Sequence, residues 1–271
     1  MLKAFIFGLI LFQLIMPASA SEPIVNGEWI QGGLLTVKTN AAYVDILNRR
    51  IKVEADGRVT FGLGRDTPAK IELALEYSDG RSEKYTYAVV QREYKTQKIS
   101  GVEKKYVAPP AEVSARIKGD NKEIRNARMK TREASDFLAQ FILPAEGPVT
   151  GVYGSQRVFN GVPKRPHYGL DLAGPVGTPV YAPVAGRVNL SHADMYYSGG
   201  TLILGHGQGI SSTFIHLSKL HVKVGDMVKQ GQLIAEIGAT GRVTGPHLDW
   251  RINWFEQRLD PALVMKGLYL P

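Results

Sequence analysis

Apolar residues recur at every second position through much of the first hundred residues. Ile71, Leu73, Leu75 and Tyr77 alternate with Glu72, Ala74 and Glu76; Ser78-Asp79-Gly80 then turns the chain, and Tyr85, Tyr87 and Val89 return. Ile51 and Val53 lead into Asp56-Gly57, with Val59, Phe61 and Leu63 on the far side. A period of two puts alternate side chains on one face of a strand. With Gly-containing breaks at this spacing, it predicts the hairpins of a small antiparallel sandwich over residues 21–100.

Val107-Ala108-Pro109-Pro110 punctuates the end of that region, and the period then changes. Val113, Ile117, Ile124, Phe137 and Leu138 stand among Lys, Arg, Glu and Asp. Residues 101–141 therefore read as a helical linker, with Gly119 separating two helices. Its charges are mixed in sign, as on a solvated face. From Leu143 onward, short runs such as Thr201-Leu202-Ile203-Leu204 and Leu233-Ile234-Ala235-Glu236-Ile237 alternate with Gly and Pro. This predicts a β-domain of many short strands over 142–271. The expected fold class is mainly β: an antiparallel sandwich, a helical linker and a C-terminal antiparallel domain.

The first twenty residues follow another rule. Lys3 precedes an apolar run from Ala4 to Met16, Pro17 breaks it, and Ala18-Ser19-Ala20 offers the small residues a signal peptidase reads. A secretory signal over 1–20, cleaved after Ala20, would make the protein periplasmic or secreted. The run falls short of the ~20 apolar residues a spanning helix needs, and no later stretch qualifies, so no membrane span is expected.

The chain contains no cysteine, which excludes disulfides, thiolate metal sites, cysteine nucleophiles and a lipidated N-terminal cysteine. Any metal must be held by His, Asp or Glu. A formal net charge of +8 favours anionic envelope polymers as partners. No Lys/Arg stripe with interleaved aromatics marks a nucleic-acid surface.

All six histidines lie in the last part. His247 and Asp249, at i and i+2 of a strand, would share one face ~6.6 Å apart, with Leu248 turned to the core. By alternation Arg251 faces solvent, where it can support Asp249. His167 and Asp171 would be ~13 Å apart on an extended strand, too far to share an ion. A bend at Gly169 would bring them together.

The order of these segments raises their weight. Val152-Tyr153-Gly154, Arg157, Asn160-Gly161, His167-x-Gly-x-Asp171 and Gly177-Thr178-Pro179-Val180 resemble the lysostaphin-like (LytM-domain) zinc metallopeptidases. So do Ala182-Pro183-x-x-Gly186, His206-Gly207-x-Gly209, His216-Leu217, Val224-Gly225-Asp226, Gly241 and Thr244-Gly245-Pro246-His247-Leu248. The resemblance runs from about Phe141 to Val264, and the leading sandwich and helices look like the N-terminal region of some envelope members. It implies hydrolysis of peptide bonds in bacterial peptidoglycan by metal-activated water. It further implies zinc held by His167 and Asp171, and catalytic roles for His216 and His247. His192, His206 and His221 match no catalytic position and read as structural.

One position departs from the pattern. The family's third zinc ligand is the second histidine of His-x-His, and here that place is Asp249. Aspartate can ligate zinc, but a second carboxylate weakens the electrophile and widens the choice to other divalent ions. Asp249→His is expected to bind zinc at least as tightly. The alternative from the same resemblance is a metal-free regulator that binds and activates a cell-wall amidase, with an amidase or divisome component as partner.

Overall fold

In a computed structural model the described residues are 23–265. The expected signal segment, 1–20, lies outside them. The principal strands of the N-terminal half are β1 (Leu34–Lys38), β2 (Tyr43–Ile46), β3 (Arg49–Lys52), β4 (Arg58–Gly62), β5 (Lys70–Glu76) and β6 (Ser82–Ala88). One sheet pairs β1 with β4 and the short strand Ile24–Asn26; the other runs β3-β2-β5-β6. Leu35, Val37, Val59 and Phe61 of the first meet Val44, Ile46, Leu73 and Leu75 of the second in one buried core. Alternation thus produces the antiparallel sandwich, because each strand has one apolar face to bury.

The β5–β6 hairpin closes across residues 77–81, with Glu76 opposite Ser82. The hairpin read at Asp56-Gly57 does not form. Its two flanks join different sheets, since β3 pairs with β2 and β4 pairs with β1. The deciding turn is Leu47-Asn48, where both residues take positive φ, 49° and 60°. That two-residue geometry matches strand twist and closes β2 onto β3.

The linker holds one principal helix, α1 (Ser114–Met129), rather than two. Gly119 sits inside it, with open space where a side chain would be. A mid-helix glycine costs about 1 kcal/mol relative to alanine but does not break the ladder. Contacts along its length hold α1: Arg116 pairs with Asp194, Asp120 accepts from the Tyr196 amide, and the Ala127 carbonyl accepts from Asn189.

The strands that position the site are β7 (Thr96–Ile99), β8 (Gln156–Phe159), β9 (Leu170–Ala173), β10 (Gly186–Met195), β11 (Gly199–Gly207), β12 (Ile210–Leu220), β13 (Leu233–Ile237) and β14 (His247–Trp254). In the main sheet the order runs β10-β11-β12-β14-β9. Leu170, Leu172, Phe214, Leu248, Trp250 and Ile252 fill its core and are at most 2% exposed. That core is continuous with the sandwich. A Cβ at Gly62 would lie 2.4 Å from Leu259, Arg92 pairs with Asp260 at 2.8 Å, and the Arg49 guanidinium lies over Phe255. Among the described residues no helix is long and apolar enough to cross a membrane.

Candidate metal centre

Register assembles the cluster. β9 and β14 are antiparallel with Asp171 directly opposite Asp249 and Leu172 opposite Leu248. Directly opposed residues project from the same face with Cβ atoms about 5 Å apart, so both carboxylates point one way while both leucines enter the core. His167 arrives from the segment before β9, its amide donating to Ser155 O and its carbonyl accepting from Gly154 N, both at 2.8 Å. Its Nε2 lies 3.1 Å from Asp171 Oδ1 and its Nδ1 3.8 Å from Asp249 Oδ2. One ligand atom from each of the three residues falls within 4.8 Å of the others.

Gly169 is needed here for space rather than for a left-handed bend. It is absent from the positive-φ glycines, but a Cβ there would sit 2.3 Å from Asp249 Oδ1 and 2.7 Å from Trp250 O. Gly151 serves Asp171 in the same way, since its Cβ would meet Oδ2 at 2.2 Å.

The two catalytic candidates also converge, with the His216 and His247 ring centroids 4.9 Å apart. His247 opens β14 opposite Ala173. His216 needs a local device, because Ile215 is the residue of β12 opposite Asp249. Regular alternation would turn the next side chain away. His216 instead adopts φ of 69°, a conformation rare outside glycine, next to a register shift in β12. Such an outlier breaks the alternation, and strain of this kind concentrates at functional sites.

His216 Nδ1 lies 2.8 Å from Thr240 O and His247 Nδ1 2.9 Å from Gly245 O. A carbonyl only accepts, so each Nδ1 carries a proton, and a neutral ring in this tautomer has its lone pair on Nε2. Burial, reinforced by neighbouring His247, lowers the His216 pKa to about 3.

Each carboxylate has an arginine. Arg157 Nη2 donates to Asp171 Oδ2 at 2.6 Å, while Arg251 donates from Nε to Asp249 Oδ1 at 2.9 Å and from Nη2 to Oδ2 at 2.5 Å. Arg251 does not face solvent as expected: it shares the face of Asp249 by alternation, but that face is covered here, its side chain being 22% exposed and paired with Asp249. Burial pushes the Asp249 carboxyl up, but the Arg251 charge, His167 and the Arg251 hydrogen bonds outweigh it and hold the group far below the usual carboxylate range. Asp171 shows the same net direction: burial and Asp249 raise it, and His167 with Arg157 overcome them.

The donors fit a divalent cation. Both ring nitrogens of His167 and Asp171 Oδ1 are buried without a hydrogen bond of acceptable geometry, despite their proximity. Unsatisfied buried polar atoms cost about 1–3 kcal/mol each, and one cation would engage all three residues. One imidazole and two carboxylates suit zinc or a harder divalent ion. Asp249 can join only by sharing an oxygen with Arg251.

The other histidines are engaged elsewhere. His206 contacts Ala185 O and Ser212 Oγ at 2.8 and 2.9 Å, His221 contacts Glu236 at 2.9 Å, and His192 accepts from the Asp194 amide. Three contributors escaped the sequence reading. Arg157 stood in the motif with no assigned role, and Thr240 and Arg242 gave no signal of their own. The cluster opens into a groove of about 380 Å³ lined by Gln97, Arg157, Phe159, Arg242 and His247. Its far wall is β7, which pairs in parallel with β8 across the two halves of the chain.

Residues 165–261 match the model of "Peptidase family M23". Over 87 residues, 32% of this chain, it is 44% identical to the peptidoglycan DD-endopeptidase ShyB of Vibrio cholerae, of which that stretch covers 20%. Over 106 residues, 37% of this chain, it is 41% identical to lysostaphin of Staphylococcus staphylolyticus, covering 22% of it. The chain thus spans about a fifth of the length of these curated relatives. A solved structure of a Pseudomonas aeruginosa protein classed with peptidase M23 superposes with a TM-score of 0.69 at 28% identity, over 89% of this chain and 96% of that one. Motif, register and likeness agree, and residues 165–261 belong to peptidase family M23.

Proposed function

We propose that this chain is an exported, zinc-dependent endopeptidase that hydrolyses peptide bonds in bacterial peptidoglycan. His167, Asp171 and Asp249 would hold the zinc or a similar divalent ion, and His216 and His247 would serve proton transfer. The observation that carries this reading is the buried three-residue cluster with unsatisfied His167 nitrogens, set beside His247 in the groove and the buried His216 next to it. The substrate class follows from the printed activities of relatives such as the peptidoglycan DD-endopeptidase ShyB.

When bound, the cation supplies Lewis acidity, acidifying water and drawing charge from the scissile carbonyl. The protein's own groups do the rest. Thr240 O and Gly245 O fix both tautomers, so each Nε2 is an acceptor. Burial disfavours charging His216, which suits it to orient water by accepting a hydrogen bond. Proton uptake then falls to His247, which lines the groove and can return the proton to the leaving amine. Arg157 and Arg251 hold the two carboxylates ionised and aimed.

The test is metal analysis of the purified protein together with product analysis after digestion of isolated wall. About one divalent ion per chain, with new peptide termini in the digest, is the expected result. Metal-free protein that leaves wall peptides intact, with or without added zinc, would overturn it and return the regulator reading.

A further inference from the structure

We infer that Arg242 is a specificity residue whose guanidinium binds a carboxylate of the peptide lying in the groove, next to the bond to be cut. The inference rests on the peptidase reading and adds the chemistry of its substrate.

Two of the arginines beside the cluster are committed to its carboxylates. Arg157 is bound to Asp171 and Arg251 to Asp249. Arg242 has no carboxylate within ion-pair distance and no side-chain hydrogen bond among the described residues, although it lines the groove beside His247. Its contacts are ring faces, with the guanidinium 5.0 Å from the Phe159 centroid and 4.7 Å from that of Tyr197. Burial lowers its pKa to about 10, a cost only partly offset by the Tyr197 hydroxyl, and it stays charged at neutral pH.

Two ring contacts hold the guanidinium in place but leave its N–H donors unused. Those donors form a planar fork that matches a carboxylate. The backbone is equally fixed. The Arg242 amide donates to Tyr197 O at 2.9 Å, and a Cβ on preceding Gly241 would meet Gly199 N at 2.5 Å. A half-buried cation is therefore held rigidly, without a partner, in the groove where substrate must lie. Wall peptides have carboxylates as their own anions, so the ligand class is a peptide with a free carboxylate on the residue flanking the scissile bond.

The experiment uses the full chain and two synthetic cross-link peptides, identical except that this carboxylate is free in one and a carboxamide in the other. Calorimetry gives both dissociation constants, and chromatography gives both cleavage rates. A charge-assisted hydrogen bond predicts about tenfold tighter binding of the free acid by the wild type. Arg242→Gln brings that ratio close to one. Arg242→Lys, which keeps the charge but not the fork, falls between. The wild-type comparison needs no substitution, so a variant that folds poorly leaves it intact. An acid-to-amide ratio near one in the wild type overturns the inference, as does a ratio that survives Arg242→Gln. Acid-selective, Arg242-dependent binding without cleavage would support the carboxylate site while defeating the peptidase reading. Cleavage blind to the carboxylate would do the reverse.

Discussion

Replacing Arg251 with methionine tests how the site balances its charges. Asp249 is 1% exposed, and both its oxygens accept from Arg251, at 2.9 and 2.5 Å. Removing one partner of a buried pair costs about 3–5 kcal/mol, because the remaining charge is stranded. Arg251 keeps 22% of its side chain exposed, which places the expected loss near the lower limit, about 3 kcal/mol.

Zinc should reverse most of that loss. In the wild type the ion competes with Arg251 for Asp249, whereas in Arg251→Met both oxygens are available to it. Zinc stabilises both proteins, so the gap narrows by RT ln of the ratio of their dissociation constants, and about thirtyfold tighter binding by the variant removes about 2 kcal/mol of it. The assay is urea unfolding of both proteins at pH 7, in chelator and in excess zinc. The gap should be about 3 kcal/mol in chelator and under about 1 kcal/mol in zinc. It should also narrow on acidification. A carboxyl with a depressed native pKa stabilises above its unfolded value of about 3.9, and that stability is lost as pH falls below it. A gap under 1 kcal/mol in chelator, or one that zinc leaves unchanged, would refute the reasoning.

The remaining expectations concern single side chains. His216→Ala and His247→Ala should each cut wall hydrolysis by about 10²-fold while retaining metal, whereas His167→Ala should lose it, as elemental analysis would show. Asp249→His alone should bind zinc more weakly than wild type, contrary to the expectation from sequence, because it leaves Arg251 facing the ion without its carboxylate. Adding Arg251→Met should restore binding, and competition titration would detect both steps. His206 is fully buried, and burial lowers its pKa to about 4, so the unfolded chain binds the extra proton between pH 6.5 and 4. Stability from this group is complete above pH 6.5 and declines towards pH 4 by about 3 kcal/mol, a slope that His206→Gln should flatten in unfolding measured across that range.

The sandwich was legible through periodicity, whereas the cluster was legible through the resemblance, with periodicity adding only that His247 and Asp249 share a face. Ile71, Leu73 and Leu75 alternate in the chain and alternate in the sheet, and His247 and Asp249 share a face at i and i+2. What escaped depends on partners distant in sequence. Leu47-Asn48 outcompeted Asp56-Gly57 as a hairpin turn through which strands lay nearby, not through turn chemistry alone. Gly119 carries the same local signal as any helix breaker, but contacts from Asp194 and Tyr196 hold the helix through it. Alternation also sets Arg251 on the face of Asp249, but no pattern announces that the face is buried there, or that His216 leaves strand geometry to reach the site.

The place of β14 between β9 and β12 bears on when the site comes into being. The strand at the centre of this half of the sheet is synthesised after both of its neighbours. Until it arrives, two strands wait with open edges and Asp249 is missing. A chain stalled before His247 therefore lacks the cluster, and it presents unpaired edges of the kind that draw chains into aggregates. Synthesis from the N-terminus thus leaves both the three-residue cluster and the closure of its sheet waiting until Trp254 has been made.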